Sequence, residues 1–314
     1  MSYIQIQKRL FSIKLPNLNE SSCSVRFPPN LNHLKLATNI KHLHFKGLTN
    51  YEDASNLQNF IIEKHLNYKI TNKNSRLINN IYPTILTFEF NSIYTGGKRE
   101  NQFSKATNIP IDQNGNVLGT SNVKYIKTDR GGQVTYHGPG QLVGYFIWDL
   151  KLWERLTSRC FVNFIEQCSL LTIKEMKVPN VSTTNNTGVW IVDNSSERKI
   201  SSIGLNLKRN VTSHGLSINI NPELRYLNNP NLIMCGLEGY KQTSVYNELG
   251  NNVSINIEEA ANLLSKVVET RMNNYMINNN NNSEERNYDL KVEKKTFDSI
   301  PNDLNTIYKE LLLI

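Results

Sequence analysis

The sequence predicts an α/β fold, in which helices pack against a mixed, largely antiparallel sheet. Short apolar segments separated by polar turns recur at residues 188–192, 199–205 and 215–220, the pattern of successive strands. Apolar residues at helical spacing occur before and after these segments. The chain has 314 residues, of which 39% are hydrophobic and 20% charged, an ordinary balance for a globular protein. Neighbouring strands mixed with helices favour a sheet covered by helices.

The first predicted helix begins after Asn50, whose side chain can act as the N-cap. Acidic residues follow in its first turn, where negative charge is favourable. Its apolar stripe consists of Ala54, Leu57, Ile61 and Ile62. Residues 84–90 then form a predicted strand, and Gly96-Gly97 forms a turn.

Two further strands, at residues 123–127 and 142–148, border a glycine-rich segment. A core-facing helix is predicted next from the helical spacing of Phe161, Phe164, Ile165, Cys168 and Leu171. Helices are also predicted over residues 258–272 and 301–313. Between them, an asparagine run at 278–282 cannot bury enough apolar surface to order itself, so residues 277–287 are predicted to be a disordered insertion.

The positive charge of the chain is concentrated near its N-terminus. Of the net charge of +8, residues 1–48 supply +6, from seven Lys or Arg and one acidic residue. A nucleic-acid binder would more often place basic residues on a folded element, so no nucleic-acid partner is expected. No apolar run approaches the roughly 18 residues that suggest a membrane span.

The basic, acid-poor and serine-containing N-terminus is typical of an organelle transit peptide. Residues 1–44 are therefore predicted to be a transit peptide or disordered extension, and residues 45–314 a single domain. The expected destination is the mitochondrion, with the plastid as the alternative. We expect residues 1–48 to be dispensable for catalysis.

Only one of the four cysteines has the context of a reactive thiol. No C-x-x-C pair occurs, which argues against a zinc site or a disulfide framework. Cys160 and Cys168 lie in an apolar helical stretch, and Cys23 lies in the presumed presequence. Cys235 lies in a glycine-flanked loop context, so it is the candidate nucleophile.

A thiol is only a few per cent ionised at neutral pH, so a nucleophilic cysteine needs a cationic or basic neighbour. Lys199 is one candidate partner for Cys235, although the two are far apart in the chain. His137 and His214 are alternatives, because Cys–His pairs are common in thiol hydrolases. Each histidine can equally be a structural residue.

Residues 130–141, Arg-Gly-Gly-Gln-Val-Thr-Tyr-His-Gly-Pro-Gly-Gln, contain four glycines and one proline. Glycine allows sharp turns and close approach to a ligand, so this segment is predicted to line a binding site. Its Arg-Gly-Gly turn can also bind phosphate through backbone N–H groups. It is not a Walker loop, because no G-K-[ST] follows.

With these residues in view, the chain resembles the octanoyltransferases of lipoate biosynthesis, also called lipoyl(octanoyl) transferases or lipoate-protein ligase B. Five motifs occur in the family's order between about residues 45 and 275. They are the 129–145 signature, Thr-Gly-Val-Trp at 187–190, Lys-Ile-x-x-Ile-Gly at 199–204, His-Gly-Leu at 214–216 with Asn219, and Cys235-Gly236.

The resemblance implies a single catalytic domain of the biotin/lipoate protein ligase fold. It implies that Cys235 is the acyl-thioester nucleophile and that Lys199 lowers its pKa and shuttles protons. It implies a supporting role for His214. The implied substrate pocket comprises Arg130, Gly131, Gly132, Gln133, Val134, Thr135, Tyr136, His137, Ser202, Ile203, Gly204, Gly215, Leu216 and Ser217.

The resemblance also implies the reaction and its partners. The donor would be octanoyl-acyl carrier protein, and the acceptor a lysine in lipoyl domains of 2-oxoacid dehydrogenases and in the glycine cleavage H protein. Neither a cofactor nor a metal is expected. An ATP-dependent lipoate ligase, a thiol hydrolase and a non-catalytic scaffold remain as alternatives, and Cys235 together with Lys199 favours the transferase.

Overall fold

The computed structural model describes residues 27–71, 81–101, 112–118, 120, 122–194, 196–233, 235, 239–250, 254–276 and 288–312. Within these residues the strands are β1 Asn39–Thr49, β2 Thr84–Phe90, β3 Ile93–Gly96, β4 Lys124–Lys127, β5 Thr135–His137, β6 Gln141–Ile147, β7 Val181–Thr183, β8 Val189–Val192, β9 Glu197–Lys208, β10 Val211–Asn219, β11 Lys241–Gln242 and β12 Lys291–Phe297. The longer helices are α1 Tyr51–Thr71, α2 Ser158–Glu175, α3 Ile257–Met276 and α4 Leu304–Leu312. Short helical turns lie at Leu31–His33, Leu34–Ala37, Lys98–Asn101, Leu150–Leu152, Leu224–Leu227 and Val245–Leu249.

The larger sheet has nine strands in the order β12-β1-β2-β6-β10-β9-β8-β7, and β11 pairs with β9. The strand pairs β12–β1, β1–β2 and β11–β9 are parallel, and the other pairs of this sheet are antiparallel. Strands β4, β3 and β5 form a small second sheet. The prediction of a mixed, largely antiparallel sheet with packed helices is confirmed.

Helices cover both faces of the larger sheet, and β6 shows this clearly. Leu142 and Phe146 lie in the core beneath α2 and α3, whereas Val143, Tyr145 and Ile147 lie in the core beneath α1 and α4. Successive side chains of a strand point to opposite faces. A strand covered on both faces reads as a continuous apolar run, which is why this strand is recognisable in the sequence. Among the described helices, none is long and apolar enough to cross a membrane.

The predicted domain boundary near residue 45 is wrong, because the folded body already includes residues 27–44. Strand β1 lies inside the sheet between β12 and β2. Phe27 is buried in the same core as Ile40 of this strand, and Lys41 of the strand is buried and pairs with Glu293 at 2.8 Å. Basic residues that resembled a presequence are thus partly structural. Residues 1–26, and the predicted insertion at 277–287, lie outside the described residues.

Strand β12 was not predicted from the sequence. It pairs in parallel with β1 at the edge of the sheet, and Asn39 faces Lys291 at one end of the register. Its sequence Lys-Val-Glu-Lys-Lys-Thr-Phe alternates exposed and half-buried positions. Lysine residues on an edge strand prevent association with the edge strand of another molecule. A charged strand of this kind has no apolar run by which it could be recognised in the sequence.

A truncation series should separate the dispensable and the structural parts of the N-terminus. Removing residues 1–25 should leave the fold intact, because it keeps the buried residues Phe27, Leu36 and Ile40. Starting the chain at His42 removes Phe27, Leu36 and Ile40 from the core. Burial of such side chains contributes about 1.5–3 kcal/mol each, against a total stability of about 5–15 kcal/mol. We expect the longer deletion to abolish cooperative thermal unfolding. A cooperative transition close to that of the full chain would contradict this.

Candidate active site

A cavity of about 330 Å³ lies where β6, β9 and β10 meet the 130–133 turn and the loop that carries Cys235. This volume is in the range of about 300–1,000 Å³ that is usual for small-ligand sites. The predicted residues that line it are Arg130, Gly132, Gln133, Thr135, His137, Lys199, Ser202, Ile203, Gly204, His214, Gly215, Leu216, Ser217 and Cys235. Most of the predicted site is therefore brought together in space. Among the described residues there is no cluster of three or more His, Cys, Asp or Glu side chains suited to a metal ion.

Strand register brings the distant motifs together. In the β9–β10 pair, Gly215 lies opposite Gly204, and Ser217 lies opposite Ser202. On its other side, β10 pairs with β6, which places Gly215 opposite Tyr145. Three motifs separated in the sequence thus become adjacent positions on three neighbouring strands.

Three predicted pocket residues, Gly131, Val134 and Tyr136, do not line the cavity. The Gly131 N–H donates to the carbonyl of Leu205 at 2.8 Å, so it is not free to bind a phosphate. The carbonyl oxygen of Val134 accepts a hydrogen bond from the Cys235 N–H at 2.8 Å. Tyr136 is fully buried behind the cavity, with its hydroxyl 2.8 Å from that of Ser92. These three residues therefore contribute hydrogen bonds to the structure around the cavity without lining it.

Arg130 uses its terminal N–H groups to hold the turn that follows it. Nη1 donates to the carbonyl oxygen of Gln133 at 2.8 Å. Nη2 donates to the carbonyl oxygen of Thr95 at 2.5 Å and to its hydroxyl at 2.9 Å. Since these groups are satisfied by the protein, Arg130 acts on the cavity chiefly through its shape and its positive charge.

The Cys235 thiol is half-buried at the wall of the cavity and has an environment that favours its ionised form. Its backbone has φ +57°, in the left-handed region, where a residue with a side chain is strained. Sγ lies 3.7 Å from the hydroxyl oxygen of Ser202. Burial alone raises the pKa of the thiol. The positive charge of Lys199 opposes burial most strongly, followed by Ser202 and Arg130, so that the pKa lies below its ordinary value.

Lys199 is buried, with 4% of its surface exposed, and Nζ lies 5.1 Å from the centre of the Trp190 ring. Trp190 is its direct partner on the neighbouring strand β8. Gly188 makes room for this side chain. A Cβ at that position would lie 2.5 Å from Lys199 Cε, and its φ of +123° also disfavours other residues. The Thr-Gly-Val-Trp motif therefore positions the Lys199 side chain.

The two histidines of the cavity are neutral at physiological pH. Burial lowers the pKa of His137 to about 4, helped by the nearby charge of Arg130. Burial, together with the charge of Arg130, lowers the pKa of His214 to about 3. The positive charges that lower the pKa of Cys235 are those of Lys199 and Arg130. Among the three candidate partners of the thiol, this favours Lys199.

Several residues of the cavity were not predicted. Tyr51 and Tyr145 line it and share a hydrogen bond between their side chains, and burial raises the pKa of Tyr145 well above its usual value. Asn185, Asn186 and Thr187 line it near Lys199, and Arg99 and Val143 complete it. Gln242 Nε2 lies 4.0 Å from Cys235 Sγ. Tyr145 and Thr187 fall within the recognised motif segments and could have been named, whereas no sequence signal marks Gln242, which lies beside Cys235 without lining the cavity.

Comparison with known proteins identifies the family of the chain. The family model described as the lipoyl protein ligase A/B catalytic domain matches residues 56–269. The chain is 37% identical over 209 residues to a probable octanoyltransferase of Schizosaccharomyces pombe, covering 65% of this chain and 86% of that protein. It is 34% identical over 252 residues to a mitochondrial octanoyltransferase of Kluyveromyces lactis, covering 67% and 73%.

Among solved structures, P. falciparum LipL1 in complex with lipoate is similar, with a TM-score of 0.55 and 18% sequence identity, covering 88% of this chain and 70% of that one. At this identity the likeness shows the fold, and it confirms the predicted lipoate-protein-ligase-like domain. The family model covers more than half of the chain, and the relatives above 30% identity are named octanoyltransferases. The chain therefore belongs to the lipoyl protein ligase A/B catalytic domain family and is an acyltransferase.

Proposed function

We propose that this chain transfers an octanoyl group from octanoyl-acyl carrier protein to a lysine of a lipoyl domain, through a thioester on Cys235. One observation carries the proposal: the half-buried thiol of Cys235, with its pKa lowered by Lys199, lies at the wall of the cavity. Relatives named octanoyltransferase support the acyl group. Val143, Ile203 and Leu216 supply an apolar surface for its chain.

In the first half-reaction, the Cys235 thiolate attacks the carbonyl carbon of the donor thioester. A new C–S bond forms to the enzyme, and the C–S bond to the carrier's thiol breaks. Lys199, which has taken the proton of Cys235, returns it to the departing thiolate. Thioester exchange of this kind keeps the acyl group activated, so the step needs no other source of free energy.

In the second half-reaction, the amine of the acceptor lysine attacks the enzyme thioester. The C–N bond forms, the C–S bond to Cys235 breaks, and the amine proton passes to the now neutral Lys199. The product is an amide, which is more stable than the thioester. The pair of thiolate and ammonium is then restored for the next cycle.

The proposed acceptors are the lipoyl domains of 2-oxoacid dehydrogenases and the glycine cleavage H protein, and the proposed compartment is the mitochondrion. The Kluyveromyces lactis relative is named mitochondrial. Residues 1–26 of this chain contain Lys8, Arg9, Lys14 and Arg26 against the single acidic residue Glu20. A fluorescent fusion of the chain lacking residues 1–25 should remain in the cytosol, while the full-length fusion enters mitochondria. Entry of both forms would contradict the address.

Transfer should proceed at full rate without ATP and with EDTA present, because a thioester donor is already activated. The assay contains octanoyl-acyl carrier protein and a purified lipoyl domain, and mass spectrometry of the lipoyl domain measures the octanoyl amide. The contrasting assay replaces the donor by free octanoate with ATP and magnesium. A strict requirement for ATP and magnesium, with free acid as the better donor, would place the chain among the ligases instead.

A further inference from the structure

A series of buried hydrogen bonds runs from the cavity to the segment beside Lys199. His137 Nδ1 lies 2.6 Å from Gln141 Oε1. Gln141 Nε2 donates to Asn219 Oδ1 at 2.8 Å, and Asn219 Nδ2 donates to the carbonyl oxygen of Thr243 at 2.9 Å. The Thr243 N–H in turn donates to the carbonyl oxygen of Lys199 at 2.9 Å. The side chains of this series are buried, so no solvent competes for these bonds.

Backbone carbonyls fix the direction of the whole series, because a carbonyl oxygen can only accept. Asn219 must present its nitrogen to Thr243, so its oxygen faces Gln141. Gln141 must then present its nitrogen there, and the same nitrogen also donates to the carbonyl of Tyr136 at 3.3 Å. The Gln141 oxygen therefore faces His137 and needs a donor. His137 consequently carries its proton on Nδ1 and keeps a lone pair on Nε2.

Nε2 is the ring nitrogen of His137 that remains available to a ligand in the cavity. Nδ1 is engaged with Gln141 in the interior, while the ring lines the cavity. Burial lowers the pKa of His137 to about 4, so the ring stays neutral at physiological pH. Its Nε2 therefore accepts hydrogen bonds and does not donate them. Lys199, when protonated, has only hydrogen-bond donors and cannot accept a hydrogen bond from a substrate.

We propose that His137 Nε2 accepts one N–H of the acceptor lysine's amine and directs the amine lone pair at the octanoyl thioester. This assignment rests on the proposed function. As in the second half-reaction above, the C–N bond forms, the C–S bond to Cys235 breaks, and the lost amine proton passes to Lys199. His137 Nε2 is a hydrogen-bond acceptor throughout and takes up no proton, while Nδ1 keeps its proton toward Gln141.

The low basicity of His137 suits this role. A stronger base would be protonated at physiological pH and would then repel an amine by donating toward it. A neutral imidazole instead keeps its Nε2 lone pair free to accept an N–H of the amine. Orientation of this kind contributes about a hundredfold when reacting atoms are otherwise misplaced.

The matched variant is His137→Asn, whose side-chain nitrogen can still donate to Gln141 while the acceptor at the Nε2 position is lost. Intact-mass measurement would follow octanoyl loading of Cys235, and a single-turnover assay would follow transfer to the lipoyl domain. We expect loading to change less than about threefold and transfer to fall by roughly 30- to 100-fold. His33→Asn, outside the cavity, is the control and should leave both steps unchanged. Equal transfer by His137→Asn and the control would overturn the proposal.

A second measurement on the wild-type protein does not depend on catalysis. Nitrogen-15 NMR of histidine-labelled protein distinguishes the two neutral tautomers, and the His137 resonances are identified by their loss in His137→Asn. We expect a protonated Nδ1 and an unprotonated Nε2. The opposite tautomer would overturn the proposal. If the wild type forms no adduct on Cys235, the proposed function is wrong. The tautomer of His137 is measured independently of that result.

Discussion

Replacing Cys235 by serine should eliminate the octanoyl adduct and lower turnover by at least about a thousandfold, as expected for loss of a covalent nucleophile. A serine hydroxyl is ionised to a negligible extent, even in the environment that lowers the pKa of the Cys235 thiol. Intact-mass measurement after mixing with octanoyl-acyl carrier protein should show one octanoyl adduct on the wild type and none on Cys235→Ser.

The matched controls are Cys160→Ser and Cys168→Ala. Both thiols are buried in α2, and burial raises the pKa of Cys168 to about 12, so it cannot act as a nucleophile at neutral pH. Each control should keep the adduct if the protein remains folded. An adduct on Cys160 or Cys168, with Cys235 unmodified, would contradict the assignment.

Replacing Lys199 by alanine should shift the alkylation of Cys235 to higher pH. The positive charge of Lys199 lowers the pKa of the thiol against the effect of burial, so its removal leaves burial less opposed and raises the pKa. At neutral pH the thiolate fraction falls, and iodoacetamide labelling slows. Turnover should fall by about 10²–10⁴-fold, since the same amine transfers protons in both half-reactions.

The control for Lys199→Ala is Lys208→Ala, an exposed lysine on the same strand β9. It should leave the labelling profile unchanged. Lys199→Arg should keep the low thiol pKa but restore little turnover, because arginine does not release its proton. A labelling profile that is the same for Lys199→Ala and the wild type would mean that the thiol has a different partner.

The regular elements of the fold were largely predictable because their burial leaves a pattern in the chain. Strand β6, covered on both faces, appears as an apolar run, and α2 shows apolar residues at helical spacing. Strand β12 was missed because only one of its edges is paired and its residues are mostly charged or polar. The N-terminal boundary was misplaced because composition cannot distinguish a basic presequence from basic residues such as Lys41, which is paired inside the fold.

The sequence by itself determined the family and the candidate pair, because five ordered motifs and a glycine-flanked cysteine are local properties of the chain. Only the tertiary structure decided how these residues act on one another. The nearness of Lys199 to Cys235 depends on strand pairing and on the absent side chain of Gly188. The neutral state of His137 and the position of its proton depend on burial and on bonds to residues distant in the chain. The energies of electrostatic interactions and hydrogen bonds depend on distances in space, and these distances cannot be read from the spacing of residues along the chain.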